Sequence, residues 1–118
     1  MTACTILLPI RVVSEANVRG HWAAKAKRVR EHRGVARMLV LARRVRGDIG
    51  SPPYLVKLTK VGGRAFDTDN LSSAFKATRD GIAEALGIDD GDVERLRFVY
   101  DQIGEPKVHR VIVRIEGS

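Results

Sequence analysis

The chain has 118 residues and a formal net charge of +7, with 21 Lys and Arg against 14 Asp and Glu. This length corresponds to one domain, residues 1–118, and a pI near 10.2 favours a polyanionic partner such as nucleic acid. Cys4 is a single cysteine, which excludes an internal disulfide, and no apolar run approaches the roughly 20 residues that span a bilayer. We therefore expect a cytoplasmic protein with no membrane partner.

The first half of the chain predicts a strand, a long helix and a second strand. Residues 5–13 are rich in aliphatic and β-branched side chains, and Pro9 within them favours an edge strand. Residues 19–46 contain no helix breaker other than Gly34, so they predict one long helix or two helices with a kink there. After a loop containing Gly and Pro, residues 54–61 alternate as a half-buried strand does.

The second half predicts a helix followed by two strands. Residues 69–86 have helical periodicity, and Gly87 is placed to end that helix. Alternation over residues 93–102 and 109–115 predicts the last two strands. The order is therefore β-α-β-α-β-β, which indicates an α+β domain with two helices packed on a mixed sheet. The predicted buried face of the second helix consists of Leu71, Phe75, Thr78, Ile82 and Leu86.

The charged residues are segregated along the chain. The predicted first helix carries ten Lys and Arg residues and one acidic residue, Glu31. Such a helix is either a solvated face or a surface that follows phosphates, and the high pI favours the second interpretation. Binding to a membrane surface is less favoured, because no bulky apolar face opposes the basic one. The candidate DNA-binding residues are Lys25, Lys27, Arg28, Arg30 and, outside the helix, Arg64.

Acidic residues concentrate in a later stretch that begins with FDTDN at residues 66–70. Asp67 and Asp69 are two residues apart, so in an extended segment both side chains point to the same side. Mg²⁺ and Mn²⁺ take carboxylate oxygens together with water and phosphate, which makes this pair a candidate metal site. The alternative is that Asp69 caps the following helix and Asp67 starts a turn. Phe66 packs into the core, as an isolated Phe usually does, or stacks on a base.

Two further acidic residues and a lysine extend this group. In a helix that begins at Asp69, Lys76 and Asp80 return to within about 20° of Asp69, so the three share one polar line. Asp90 follows the end of that helix, which would span about 27 Å. Asp90 therefore reaches Asp67 only if the chain folds back, the helix is shorter, or a second subunit supplies it.

Residues 66–93, FDTDNLSSAFKATRDGIAEALGIDDGDV, resemble the RusA-like Holliday-junction endodeoxyribonucleases. The shared pattern is D-x-D-N-L, then a lysine and an aspartate four apart on a helix, and then a hydrophobic residue before two aspartates. The residues that carry the resemblance are Asp67, Asp69, Asn70, Leu71, Lys76, Asp80, Ile88, Asp89 and Asp90.

The resemblance implies a small homodimer that binds four-way DNA junctions and cuts them with Mg²⁺ or Mn²⁺. It implies that Asp67, Asp69 and Asp90 are catalytic carboxylates that bind the metal, and that Lys76 is the catalytic lysine. In the family pattern the lysine follows the D-N pair more closely, and here Ser73 occupies that nearer position. Two alternatives stay open: a non-catalytic basic nucleic-acid-binding protein, and a nuclease that acts on flaps or forks.

Overall fold

A computed structural model describes residues 1–14 and 22–118 and confirms the predicted α+β class, with a mixed four-stranded sheet. The predicted order of strands and helices is also observed, except that the second helix consists of two consecutive segments, so the described residues contain three helices. Residues 19–21 of the predicted first helix lie outside the described residues. The elements are β1 (Thr2–Leu8), α1 (Trp22–Val45), β2 (Tyr54–Val61), α2 (Thr68–Ala74), α3 (Lys76–Leu86), β3 (Leu96–Ile103) and β4 (Arg110–Gly117).

The strands are arranged in the order β1-β4-β2-β3. β4 is antiparallel to both of its neighbours, whereas β2 and β3 are parallel and are joined through α2 and α3. β1 lies at one edge, as Pro9 predicted, but it ends at Leu8 instead of continuing to residue 13, because a proline has no N–H to offer the sheet. Because β2 and β3 are parallel, the chain leaves both strands at the same end of the sheet.

The helices cover one face of the sheet, and the core lies between them. On the sheet side this core includes Leu58, Val113 and Ile115, all fully buried. All five residues of the predicted buried face of the second helix are buried, as expected from their spacing. Gly87 adopts a left-handed conformation with φ 69° and ends α3, also as predicted.

Helix α1 is a single helix that packs on α3 and continues through Gly34 without interruption. The two backbones approach closely at Gly81, where a Cβ atom would overlap the carbonyl oxygen of Arg33. The buried residues of α1 are His32, Ala36 and Val40, spaced one turn apart, whereas Trp22 is 74 % exposed. In the described ranges, 1–14 and 22–118, no helix combines the length and apolar character needed to cross a bilayer.

The second predicted helix is interrupted at Phe75. The N–H of Phe75 donates to the carbonyl of Ser72 at 3.2 Å, which is the spacing of a tighter turn than an α-helix. The guanidinium of Arg79 donates to the same carbonyl at 2.6 Å. Because an arginine side chain takes up a carbonyl at the end of α2, the regular helical pattern is broken there, and α3 starts anew at Lys76.

Replacing Gly34 by Ala is expected to stabilise the protein. Gly34 lies in the exposed middle of α1, and a Cβ atom there would meet no other atom within 4 Å. Alanine loses less backbone entropy than glycine when a helix forms, so the free energy of unfolding should rise by about 0.5–1 kcal/mol. Chemical denaturation of Gly34→Ala and the parent protein measures this difference, and a decrease would contradict a regular, exposed helix at Gly34.

Candidate metal and nucleic-acid site

The FDTDN segment joins β2 to α2 and places two carboxylates at the start of that helix. Asp67 occupies the N-cap position, where its carbonyl accepts the N–H of Leu71 at 2.8 Å, but its carboxylate makes no capping hydrogen bond. Asp69 lies in the first turn of α2 and does not cap it, so the capping role considered for Asp69 is wrong. Both side chains are exposed, and within the described residues neither forms an ion pair or a side-chain hydrogen bond.

Phe66 anchors this segment to the rest of the domain. Its N–H donates to the side-chain oxygen of Gln102 at 2.8 Å, and the Gln102 amide donates back to the Phe66 carbonyl at 2.8 Å. The ring is half-buried against the core, and the ammonium of Lys60 lies 4.4 Å from its centre. Phe66 therefore packs against the core. Contacts with Lys60 of β2 and Gln102 of β3 hold it in place, and Asp67 is the next residue in the chain.

Asp90 is carried back toward α2 by the loop that follows α3. It borders a depression of about 370 Å³ that Ser72 also borders, and a second one of about 320 Å³ that Asp80 borders. Ser72 is one helical turn beyond Asp69, and α3 alone is only about 16 Å long. The loop that follows α3 thus places Asp90 at the same depression as Ser72 of α2.

The loop that carries Asp90 is shaped by its other aspartates. The carboxylate of Asp89 accepts the N–H of Gly91 at 2.9 Å, which closes a local turn. Asp92 accepts from the guanidinium of Arg95 at 2.7 Å, and this hydrogen bond lowers the pKa of the Asp92 carboxyl. Asp90 itself is exposed and has no such partner among the described residues.

The structure does not gather the three predicted metal ligands into one complete set within a single chain. Among residues 1–14 and 22–118, no three His, Cys, Asp or Glu side chains form a group that could hold a metal ion. Asp67 and Asp69 nevertheless provide two carboxylates that are not engaged elsewhere in the described part. Mg²⁺ is commonly held by one or two carboxylates together with water and substrate phosphate, so the donor chemistry of this pair fits a hard divalent ion.

Lys76 lies on the side of α3 that faces α1. Its ammonium is 3.3 Å from a carboxylate oxygen of Asp80, and the lysine side chain is 70 % exposed. It borders a cavity of about 400 Å³ between the helices, which Ser73 also borders. Lys76 and Ser73, which occupies the position where the resemblance expects the lysine, therefore border the same cavity. We call this space, which Lys25, Arg28, His32, Ser73, Lys76 and Asp80 line, the interhelical cavity.

The predicted DNA-binding residues divide among three places. Lys25 and Arg28 border the interhelical cavity opposite Lys76. Lys27 and Arg30 are on the exposed side of α1, where Lys27 is 3.9 Å from Glu31. Arg64 follows the turn after β2 and borders a different cavity.

Two residues near the site were not singled out from the sequence, although its periodicity contained a signal for both. His32 is buried in the interhelical cavity, and it is four residues before the buried Ala36 on α1. Lys60 is only 5 % exposed, because the alternation of β2 places it on the same face as Val56 and Leu58. A lysine at an inward position of a strand is uncommon enough to attract notice in the sequence itself.

Comparison with known proteins gives a relative of similar sequence over almost the whole chain. No family model matches this chain. A protein of Xylella fastidiosa (strain Temecula1), described as an uncharacterized protein, is 36 % identical over an alignment of 126 residues including gaps. The alignment covers 99 % of this chain and 77 % of that protein. The chain therefore belongs to the same family as this Xylella fastidiosa protein.

Proposed function

We propose that this protein is a RusA-like, metal-dependent endodeoxyribonuclease that resolves four-way DNA junctions by hydrolysing phosphodiester bonds. The observation that carries the proposal is the pair Asp67 and Asp69. Their carboxylates remain without partners in the described part of the chain, although one of them occupies a capping position. The pair is an acidic site in a chain with a net charge of +7. A divalent cation bound between the two carboxylates would offset their mutual repulsion.

Asp67, Asp69 and Asp90 would hold Mg²⁺ or Mn²⁺ in this proposal. A metal ion bound there lowers the pKa of water and stabilises the charge that develops on phosphate oxygens during hydrolysis. Asp90 belongs to a loop whose turn is closed by Asp89, so its backbone is held even though its side chain is exposed. A second copy of the chain is an additional source of ligands for the same ion.

Lys76 supplies positive charge for the scissile phosphate. Its ion pair with Asp80 is largely exposed, and exposed pairs contribute about 0–1 kcal/mol, so exchanging Asp80 for a phosphate costs little. Lys25 and Arg28, which face Lys76 across the interhelical cavity, contact the DNA backbone. Contacts of this kind position a strand without reading its sequence, which suits an enzyme that selects a branched shape.

The proposal includes a homodimer in the cytoplasm. A four-way junction has approximate two-fold symmetry, and a symmetric dimer presents two equivalent active sites to it. Paired cuts in opposing strands then follow from geometry, without communication between the sites.

The protein is expected to cut a synthetic four-way junction in the presence of Mg²⁺ and not in the presence of EDTA. A linear duplex of the same sequence should be bound but left intact, and gel electrophoresis of end-labelled strands measures both results. Binding without metal-dependent cutting of any substrate would contradict the proposal and favour the non-catalytic nucleic-acid-binding protein. Preferential cutting of flaps or forks would contradict junction resolution and favour a nuclease that acts on those structures.

A further inference from the structure

A small cavity at the end of β2, distinct from the interhelical cavity, is bordered by three basic side chains and a histidine. It has a volume of about 240 Å³ and lies between the segment after β1, the turn after β2 and the chain that enters β4. Arg11, Lys60, Arg64 and His109 border it, and so does Phe66, the residue directly before Asp67. We call it the basic cleft. Among its three basic side chains and its histidine, only Arg64 was assigned a role from the sequence.

Positive charge in the basic cleft is not balanced by the residues around it. None of the described residues that border the cleft is acidic, and Arg11 and Arg64 form no ion pair within the described part of the chain. Lys60 is nearly fully buried, and its ammonium donates to the carbonyls of Gly62 and, at 2.8 Å, Arg64. Burial, and after it the positive charge of Arg11, lowers the pKa of Lys60. The contribution of Arg11 is consistent with a cleft in which positive charges lie close together without an acidic neighbour among the described residues.

We propose that the basic cleft binds a phosphate group of the DNA strand, adjacent to the phosphate at which that strand is cut. An anion between Arg11 and Arg64 would offset their repulsion with Lys60, and arginine matches the geometry of phosphate oxygens through two parallel hydrogen bonds. Phe66 borders the cleft and directly precedes Asp67, so the cleft adjoins the segment that carries the carboxylate pair. This inference rests on the proposed function in one respect, that the phosphate belongs to DNA.

The test is the salt dependence of DNA binding, measured in EDTA so that cutting plays no part. The double variant Arg11→Gln/Arg64→Gln removes two exposed guanidinium groups and keeps Lys60 in place. The cleft is proposed to hold one phosphate, and each lost phosphate contact reduces the steepness of log K against log salt by about 0.9, so the slope should become shallower by about 0.9. The affinity for duplex and for junction should fall roughly 10-fold at 0.1 M salt.

The matched control is Lys57→Gln/Arg114→Gln, which removes the same charge from the sheet face that is turned away from the helices. Lys57 and Arg114 are exposed and pair with Asp101 and Glu116, respectively. Their replacement should leave the slope close to that of the parent protein. Equal slopes for the two double variants would overturn the proposal.

A second measurement separates DNA from free phosphate as the source of the ligand. Titration with inorganic phosphate should shift the His109 ring resonances of the parent protein and not those of Arg11→Gln/Arg64→Gln. A shift without any change in the DNA slope would assign the cleft to free phosphate and overturn the DNA assignment. A reduced slope in a protein that cuts nothing would retain the cleft and reject the nuclease, so the two proposals fail separately.

Discussion

Asp69→Asn is expected to abolish metal-dependent cutting of the four-way junction and to leave junction binding intact. Asparagine has nearly the same shape but lacks the charge that a divalent ion requires, and Asp69 is exposed in the first turn of α2, where the substitution disturbs no packing. A metal ion contributes several kcal/mol of transition-state stabilisation, so the single-turnover rate should fall by at least about 100-fold. Affinity measured in EDTA should be unchanged or slightly higher, because a negative charge near the phosphates is removed.

Asp101→Asn is the matched control for this variant. Asp101 is an exposed carboxylate on β3 that pairs with Lys57 at 3.4 Å, on the sheet face away from the FDTDN segment. Exposed ion pairs contribute little, so this variant should fold and cut like the parent protein. If Asp69→Asn cuts at the parent rate, the assignment of metal ligands is wrong, whatever the substrate.

Gly62→Ala is expected to cause the largest loss of stability among the substitutions considered. Gly62 follows β2 with a φ of 92°, a conformation that side chains strongly disfavour, and a Cβ atom there would overlap the carbonyl oxygen of Val108. The strain and the displacement of Val108 together should lower the free energy of unfolding by at least about 3 kcal/mol. Denaturant titration followed by circular dichroism measures the change.

The same glycine connects stability to the candidate site. Its N–H donates to the carbonyl of Ile103 at 2.9 Å, and its own carbonyl accepts from Lys60, so a shift at Gly62 is transmitted to the segment that carries Asp67. Gly34→Ala, expected to be slightly stabilising, is the control for a glycine substitution with no steric consequence. Equal stability of Gly62→Ala and the parent protein would contradict the close approach at Val108.

Several features of the fold could be predicted because they depend on neighbours in the sequence. The buried stripe of the second helix, its end at Gly87 and the edge position of the Pro9 strand follow from periodicity and backbone chemistry alone. The interruption at Phe75 was not predictable in this way. It depends on the guanidinium of Arg79, which also bonds the hydroxyl of Tyr100 at 2.9 Å on a different strand.

By itself, the sequence determined the segregation of charge, the strand and helix order and the adjacent carboxylates of FDTDN, because each is a property of residues close together in the chain. The tertiary structure decided which distant residues share a space. It returned Asp90 to the depression beside Ser72, placed Lys25 and Arg28 across from Lys76, and buried Lys60 beside Phe66. Such neighbourhoods depend on how α1, α3 and the sheet pack together, and no local spacing specifies that packing.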